Sequence, residues 1–137
     1  MNIDELRGQH ERIMRLAADL HRAVAQSDEI RPVAALRWQL ARELIAHLAL
    51  EDRLLYPSMI RSADAEVARA AATLKAEMGS FAQEFTAYMA RWNDLRVVRE
   101  WAAFQTETRA ILDTLAKRIQ REDQALYPLA ETPSRAA

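Results

Sequence analysis

The chain of 137 residues contains no cysteine. That excludes disulfides, thiolate metal sites and thiol catalysis. Two glycines and four prolines, with few β-branched residues, leave little from which to build a sheet protein. A glycine-rich phosphate loop is missing as well. So is an excess of charge: nineteen basic side chains meet twenty acidic ones, for a formal net charge of −1. Seventeen of the basic residues are arginine, spread along the chain and never gathered into a block. Nothing in this balance points to nucleic acid or an anionic membrane as partner. No apolar run approaches the length of a membrane span. The opening MNIDELRGQHER is charged and lacks the apolar stretch of a signal peptide. With the absence of cysteine, this reads as a cytoplasmic protein. No Ser/His/Asp constellation is visible, so neither catalytic residues nor an organic cofactor site is expected, and the reading leans away from an enzyme.

What is present gathers around residues 47–57, HLALEDRLLYP. His47 and Glu51 stand four residues apart and share one helical face. Leu36, Leu40, Leu44, Leu48, Leu54 and Leu55 lie on or beside the same stripe. A carboxylate among leucines loses its hydration and needs a proton, a cation or a metal in return. The stretch comes back in altered form at 118–128, RIQREDQALYP, 71 positions on. There Glu122 stands in the register of Glu51, and Arg118 in that of His47.

Apolar spacings of three and four residues predict four long helices. The first runs from about Asn2 or Ile3 to about Gln26, on the stripe Ile3, Leu6, His10, Ile13, Ala17, Leu20, Val24. The second runs from about Pro32 to Tyr56, with Pro57 ending or kinking it. The third begins near Asp64, an N-cap, and continues to Trp92 on Val67, Ala71, Leu74, Met78, Phe81, Phe85, Tyr88 and Trp92. The fourth runs from about Leu95 to Tyr127, on Trp101, Phe104, Thr108, Ile111, Leu115, Arg118, Glu122 and Leu126. Breaks fall near 27–32, 57–63 and 92–96. The expected fold is all-α, an antiparallel up-down-up-down four-helix bundle over residues 1–129, with 130–137 as a C-terminal tail. In that order His10, His47, Glu51, Arg118 and Glu122 gather at one end of the core. His21 reads as a surface histidine. Asp52 and Asp123 are expected to point outward or along a seam. Tyr56 and Tyr127 are expected to close the bundle end, and Trp92 and Trp101 to pack at the third break.

These residues resemble the hemerythrin-like (HHE cation-binding) bundles over about residues 3–129. That family carries an early His on helix 1 and His-x-x-x-Glu before Leu-Tyr/Phe-Pro on helix 2. It has a His on helix 3 and a second His-x-x-x-Glu on helix 4. A full set holds a non-haem di-iron centre. The resemblance implies metal-ligand roles for His10, His47, Glu51 and Glu122. Two positions depart from it: Met78, after Glu77, stands where the third-helix His is expected, and Arg118 where the last His is expected. The implied iron site is therefore incomplete, and a di-iron oxygen carrier is not expected.

Several outcomes stay open on the residues. Two His and two Glu suffice for a single divalent metal, iron or zinc. A guanidinium cannot ligate, brings a positive charge into the pocket, and is shaped to bridge two carboxylates. In a metal-free bundle Arg118 would take the metal's place beside Glu51 and Glu122. The protein would then be an interaction or regulatory module acting through a protein partner or as a homodimer. Met78 reads as core filling, since a thioether suits copper(I) better than iron.

Overall fold

A computed structural model describes residues 2–25 and 29–131. Among them every regular element is helical. Helix α1 spans Ile3–Ala25 and α2 spans Ala34–Leu50. A π-helical turn, Glu51–Leu55, leads without a break into α3, Tyr56–Ile60. Then come α4, Ala65–Met78; α5, Phe81–Arg91; and α6, Asp94–Arg99. Helix α7 spans Trp101–Arg121, and a second π-helical turn, Glu122–Leu126, leads into α8, Tyr127–Glu131. Helix α1 packs on α2 and α7, α2 on α5, α3 on α4, and α6 on α7. No helix among the described residues is long and apolar enough to cross a membrane.

The expected stripes are the buried faces. On α1 the buried residues are Leu6, His10, Ile13, Ala17, Leu20 and Val24. On α7 the stripe holds except that Leu112 is buried in place of Ile111, which is half-buried. The core falls into two apolar clusters. The larger contains Ile13, Leu44, Leu48, Phe85, Leu115 and Ile119. The smaller contains Leu6, Leu55, Tyr56, Leu126 and Tyr127. On each of three helices the polar stripe residues lie between members of the two. His10 falls between Leu6 and Ile13, His47 and Glu51 between Leu44 and Leu55, Arg118 and Glu122 between Leu115 and Leu126.

Four boundaries differ from the sequence reading. Neither Pro57 nor Pro128 stops its helix, which runs on to Ile60 and to Glu131. In an α-helix a proline ring strikes the carbonyl four residues back. Here a wider turn comes immediately before each proline. The Tyr56 N–H bonds to the carbonyl of Glu51, and the Tyr127 N–H to that of Glu122, five residues back in each case. The third helix is broken at Gly79–Ser80. Gly79 has φ 59° and donates its N–H to the Lys75 carbonyl, a conformation that glycine adopts without a side-chain clash. The fourth begins as α6, capped by the Asn93 side chain, and restarts at Trp101. Leu54, placed on the stripe, is 55% exposed, while Leu55 is buried. The π-turn changes the angular step at the residues where the stripe was extrapolated. Residues 26–28 and 132–137, which include part of the first break and most of the expected tail, lie outside the described residues. The Asp64 cap is as expected, its side chain accepting from the Glu66 N–H.

At the far end from His10, Gln105 donates to the Val24 carbonyl at 2.6 Å. Arg37 donates to the Trp92 carbonyl at 2.8 Å and lies over the rings of Tyr88 and Phe104. Trp92 and Trp101 both pack on Phe104.

Candidate metal centre

His10 comes from α1. His47 comes from the end of α2, and Glu51 and Glu122 open the π-turns that follow α2 and α7. All four are buried to 2% exposure or less. One ligand atom from each lies within 4.8 Å of all the others. The two imidazole Nε2 atoms are 2.9 Å apart. His10 Nε2 is 3.2 Å from Glu122 Oε1, and His47 Nε2 is 3.2 Å from Glu51 Oε2. The four residues named from sequence therefore do converge.

The outward nitrogens are held as well. His10 Nδ1 is 2.8 Å from Asp123 Oδ1, and His47 Nδ1 is 2.7 Å from Gln9 Oε1. Both oxygens accept, so both Nδ1 atoms carry the proton. The two Nε2 atoms therefore face inward, toward each other and toward the carboxylates. A carboxylate or amide behind a histidine in this way fixes its tautomer and raises its basicity as a ligand. Two such nitrogens at 2.9 Å need a proton or a cation with them.

Arg118 lies on the other side of the carboxylates. Its Nη2 is 3.4 Å from Glu51 Oε1, its Nε 3.5 Å from Glu122 Oε2, and its Nη2 3.7 Å from Asp52 Oδ1. Each glutamate thus turns one oxygen to a histidine and the other to the arginine. Tyr56 donates to Glu122 Oε2 at 3.0 Å, on the arginine side. Tyr127 donates to Glu51 Oε2 at 2.5 Å, on the histidine side. Each tyrosine reaches across to the glutamate of the other helix.

The electrostatics follow from burial and from these partners. Burial opposes the charge on Glu51, yet the His47 hydrogen bond and charge hold its carboxyl down at about 2. Burial pushes Glu122 up to about 7; His10 pulls against it and the charge on Glu51 reinforces it. Burial also opposes charge on His10 and Arg118, but the neighbouring carboxylates outweigh it and raise both. Burial raises the hydroxyls of Tyr56 and Tyr127 far above the usual phenol range. The two buried carboxyls are thus shifted in opposite directions, Glu51 down and Glu122 up.

Two imidazole nitrogens and two carboxylate oxygens make a donor set suited to a first-row divalent ion. Met78 is not among the donors. It ends α4, half-buried, and packs on the smaller apolar cluster with Leu6, Leu55 and Met59. His21 is exposed, as expected.

Four residues of the site were not read from sequence. Gln9 was passed over. Asp123, expected outward or along a seam, keeps its side chain 38% exposed and in addition orients His10. Tyr56 and Tyr127, expected to close the bundle end, are also hydrogen-bonded into the site. Five residues along an α-helix turn a side chain by about 140° from its starting face. In a π-turn the fifth residue bonds back over the first, which brings each tyrosine toward the polar layer. The repeated Glu-Asp-x-x-Leu-Tyr-Pro, each copy ending in a proline that an α-helix rejects, was the available signal.

The described residues form an all-helical fold with a buried His/Glu pocket near its helix ends that could hold a cation. The hemerythrin HHE cation binding domain matches residues 1–130. The chain belongs to that family. No curated protein and no solved structure matches the chain significantly.

Proposed function

We propose that this protein is an antiparallel up-down-up-down four-helix bundle that binds one divalent cation, iron or zinc, between His10, His47, Glu51 and Glu122. The bundle topology is supported by contacts at both ends. His10 near the start of α1 meets the ends of α2 and α7, and Val24 at its end meets Gln105 near the start of α7. The observation that carries the cation reading is the pair of Nε2 atoms turned toward each other, 2.9 Å apart, with both Nδ1 atoms tied back. A cation supplies charge that the inward oxygens of Glu51 and Glu122 lack, since Arg118 serves the outer ones. On this reading the guanidinium stands where a second metal's ligand set is incomplete, and the protein is not a di-iron oxygen carrier. Bound there, the ion supplies Lewis-acid or redox chemistry. The chain holds the donors in place, keeps bulk water out by burying all four, and fixes the histidine tautomers.

Elemental analysis of protein purified without metal-chelating resin tests this, with one iron or zinc per chain expected. Two irons per chain would refute it. No metal, together with no rise in melting temperature on adding iron or zinc, would favour the second reading. In that reading Arg118 alone compensates Glu51 and Glu122, and the bundle is a metal-free interaction or regulatory module. Its support is the arginine's simultaneous approach to both glutamates.

A further inference from the structure

We infer that the Tyr127 hydroxyl oxygen is a fifth donor to the cation, making the site one of two histidines, two glutamates and a phenolate that, when the ion is iron, suits its ferric as well as its divalent state. The inference rests on the single-cation reading. The Tyr127 hydroxyl lies 2.9 Å from His10 Nε2, 3.5 Å from His47 Nε2 and 2.5 Å from Glu51 Oε2. It thus touches three of the four donor atoms, at distances shorter than the 4.8 Å that bounds the donor set. The side chain is fully buried and its aim is fixed. Its ring stacks on His10, with centroids 5.0 Å apart and planes 20° from parallel, and the Arg7 guanidinium lies 5.5 Å from the ring centre. Its backbone is set by the π-turn bond to Glu122.

Tyr56 occupies the matching place in the other copy of the 71-residue repeat but not the matching place in the site. Its hydroxyl meets Glu122 Oε2, the oxygen that faces Arg118 Nε. The exchange of histidine for arginine at residue 118 has split a near-symmetric layer into two unlike halves. One half holds both histidines and Tyr127, the other Arg118 and Tyr56. On ligation the phenolic O–H bond breaks, the oxygen lone pair goes to the ion and the proton is released to solvent, as happens when metals bind protonated ligands. Three anionic oxygens, from Glu51, Glu122 and Tyr127, make a hard donor set that favours ferric iron over softer ions.

The test is the visible spectrum of protein loaded with ferric iron and freed of excess by gel filtration. A phenolate-to-iron charge-transfer band is expected in the wild type and in Tyr56→Phe, and its loss in Tyr127→Phe. The same substitution should weaken ferric binding by about tenfold or more, while thermal melting of the metal-free variant reports on its fold. A tyrosine that only hydrogen-bonds Glu51 would change affinity without ever giving the band. Iron-loaded wild type lacking the band, or Tyr127→Phe retaining it, overturns the tyrosine ligation and leaves the single-cation reading standing. Failure of the wild type to take up iron overturns ligation, and failure to take up zinc as well overturns both.

Discussion

Arg118 is the residue on which the charge of the polar layer turns. It is 6% exposed and approaches both glutamates. Arg118→Ala should destabilise the metal-free protein by about 3–5 kcal/mol, because it leaves buried carboxylate charge without its partner. Without the guanidinium Glu122, whose carboxyl burial already raises to about 7, holds its proton to still higher pH in the folded chain. The variant's deficit should therefore be smallest at acidic pH and grow as pH rises through the carboxylate range and beyond. Melts of both proteins at pH 5 and pH 8 check this; a deficit independent of pH would contradict it. Arg118→His removes the positive charge and adds a nitrogen donor. Its affinity for iron or zinc, measured by competition with a chelator, should exceed that of the wild type. Asp123→Asn tests the orienting role of a residue that sequence spacing places outward or along a seam. It should lower cation affinity by about 10–100-fold with the melting temperature of the metal-free protein little changed.

At the scale of the elements, the stripes of α1 and α7 were legible because an uninterrupted α-helix keeps a constant angular step. Legibility failed where that step changed. The two π-turns carried the helices past Pro57 and Pro128, moved Leu54 outward and delivered Tyr56 and Tyr127 to the carboxylates. Gly79 broke the third helix where a spacing argument ran through it. The backbone there has a positive φ with open space around the missing side chain. Gly79→Ala should cost about 1–2 kcal/mol from backbone strain alone, read by chemical denaturation. At the opposite end of the molecule from His10, Glu107 accepts from the Trp92 indole at 2.6 Å and pairs with Arg91. Burial works against the charge on Glu107, but Arg91 and Trp92 hold its carboxyl below the usual range. Such a group contributes stability above the unfolded carboxylate value and loses it as pH falls through the folded one. Glu107→Gln should therefore cost about 0.5–1 kcal/mol near neutral pH, a figure kept small by solvent screening. The gap from wild type should close in acid. Equal melting-temperature differences at pH 7 and pH 3 would contradict that assignment.

At the scale of the whole molecule, a polar layer of His10, His47, Glu51, Arg118 and Glu122 separates two apolar clusters. Sequence spacing located this layer, because each of its members interrupts an otherwise apolar stripe. It did not reveal that Arg118 takes the outer carboxylate oxygens and leaves the inner ones to the histidines. That division depends on side-chain directions across three helices, and the single-cation proposal rests on it. Native mass spectrometry of metal-stripped protein titrated with ferrous iron or zinc reads that number directly. The expected result is a mass increase of one ion per chain that saturates there and disappears in His47→Ala. Saturation at two ions, or no uptake at all, would contradict a single-cation site.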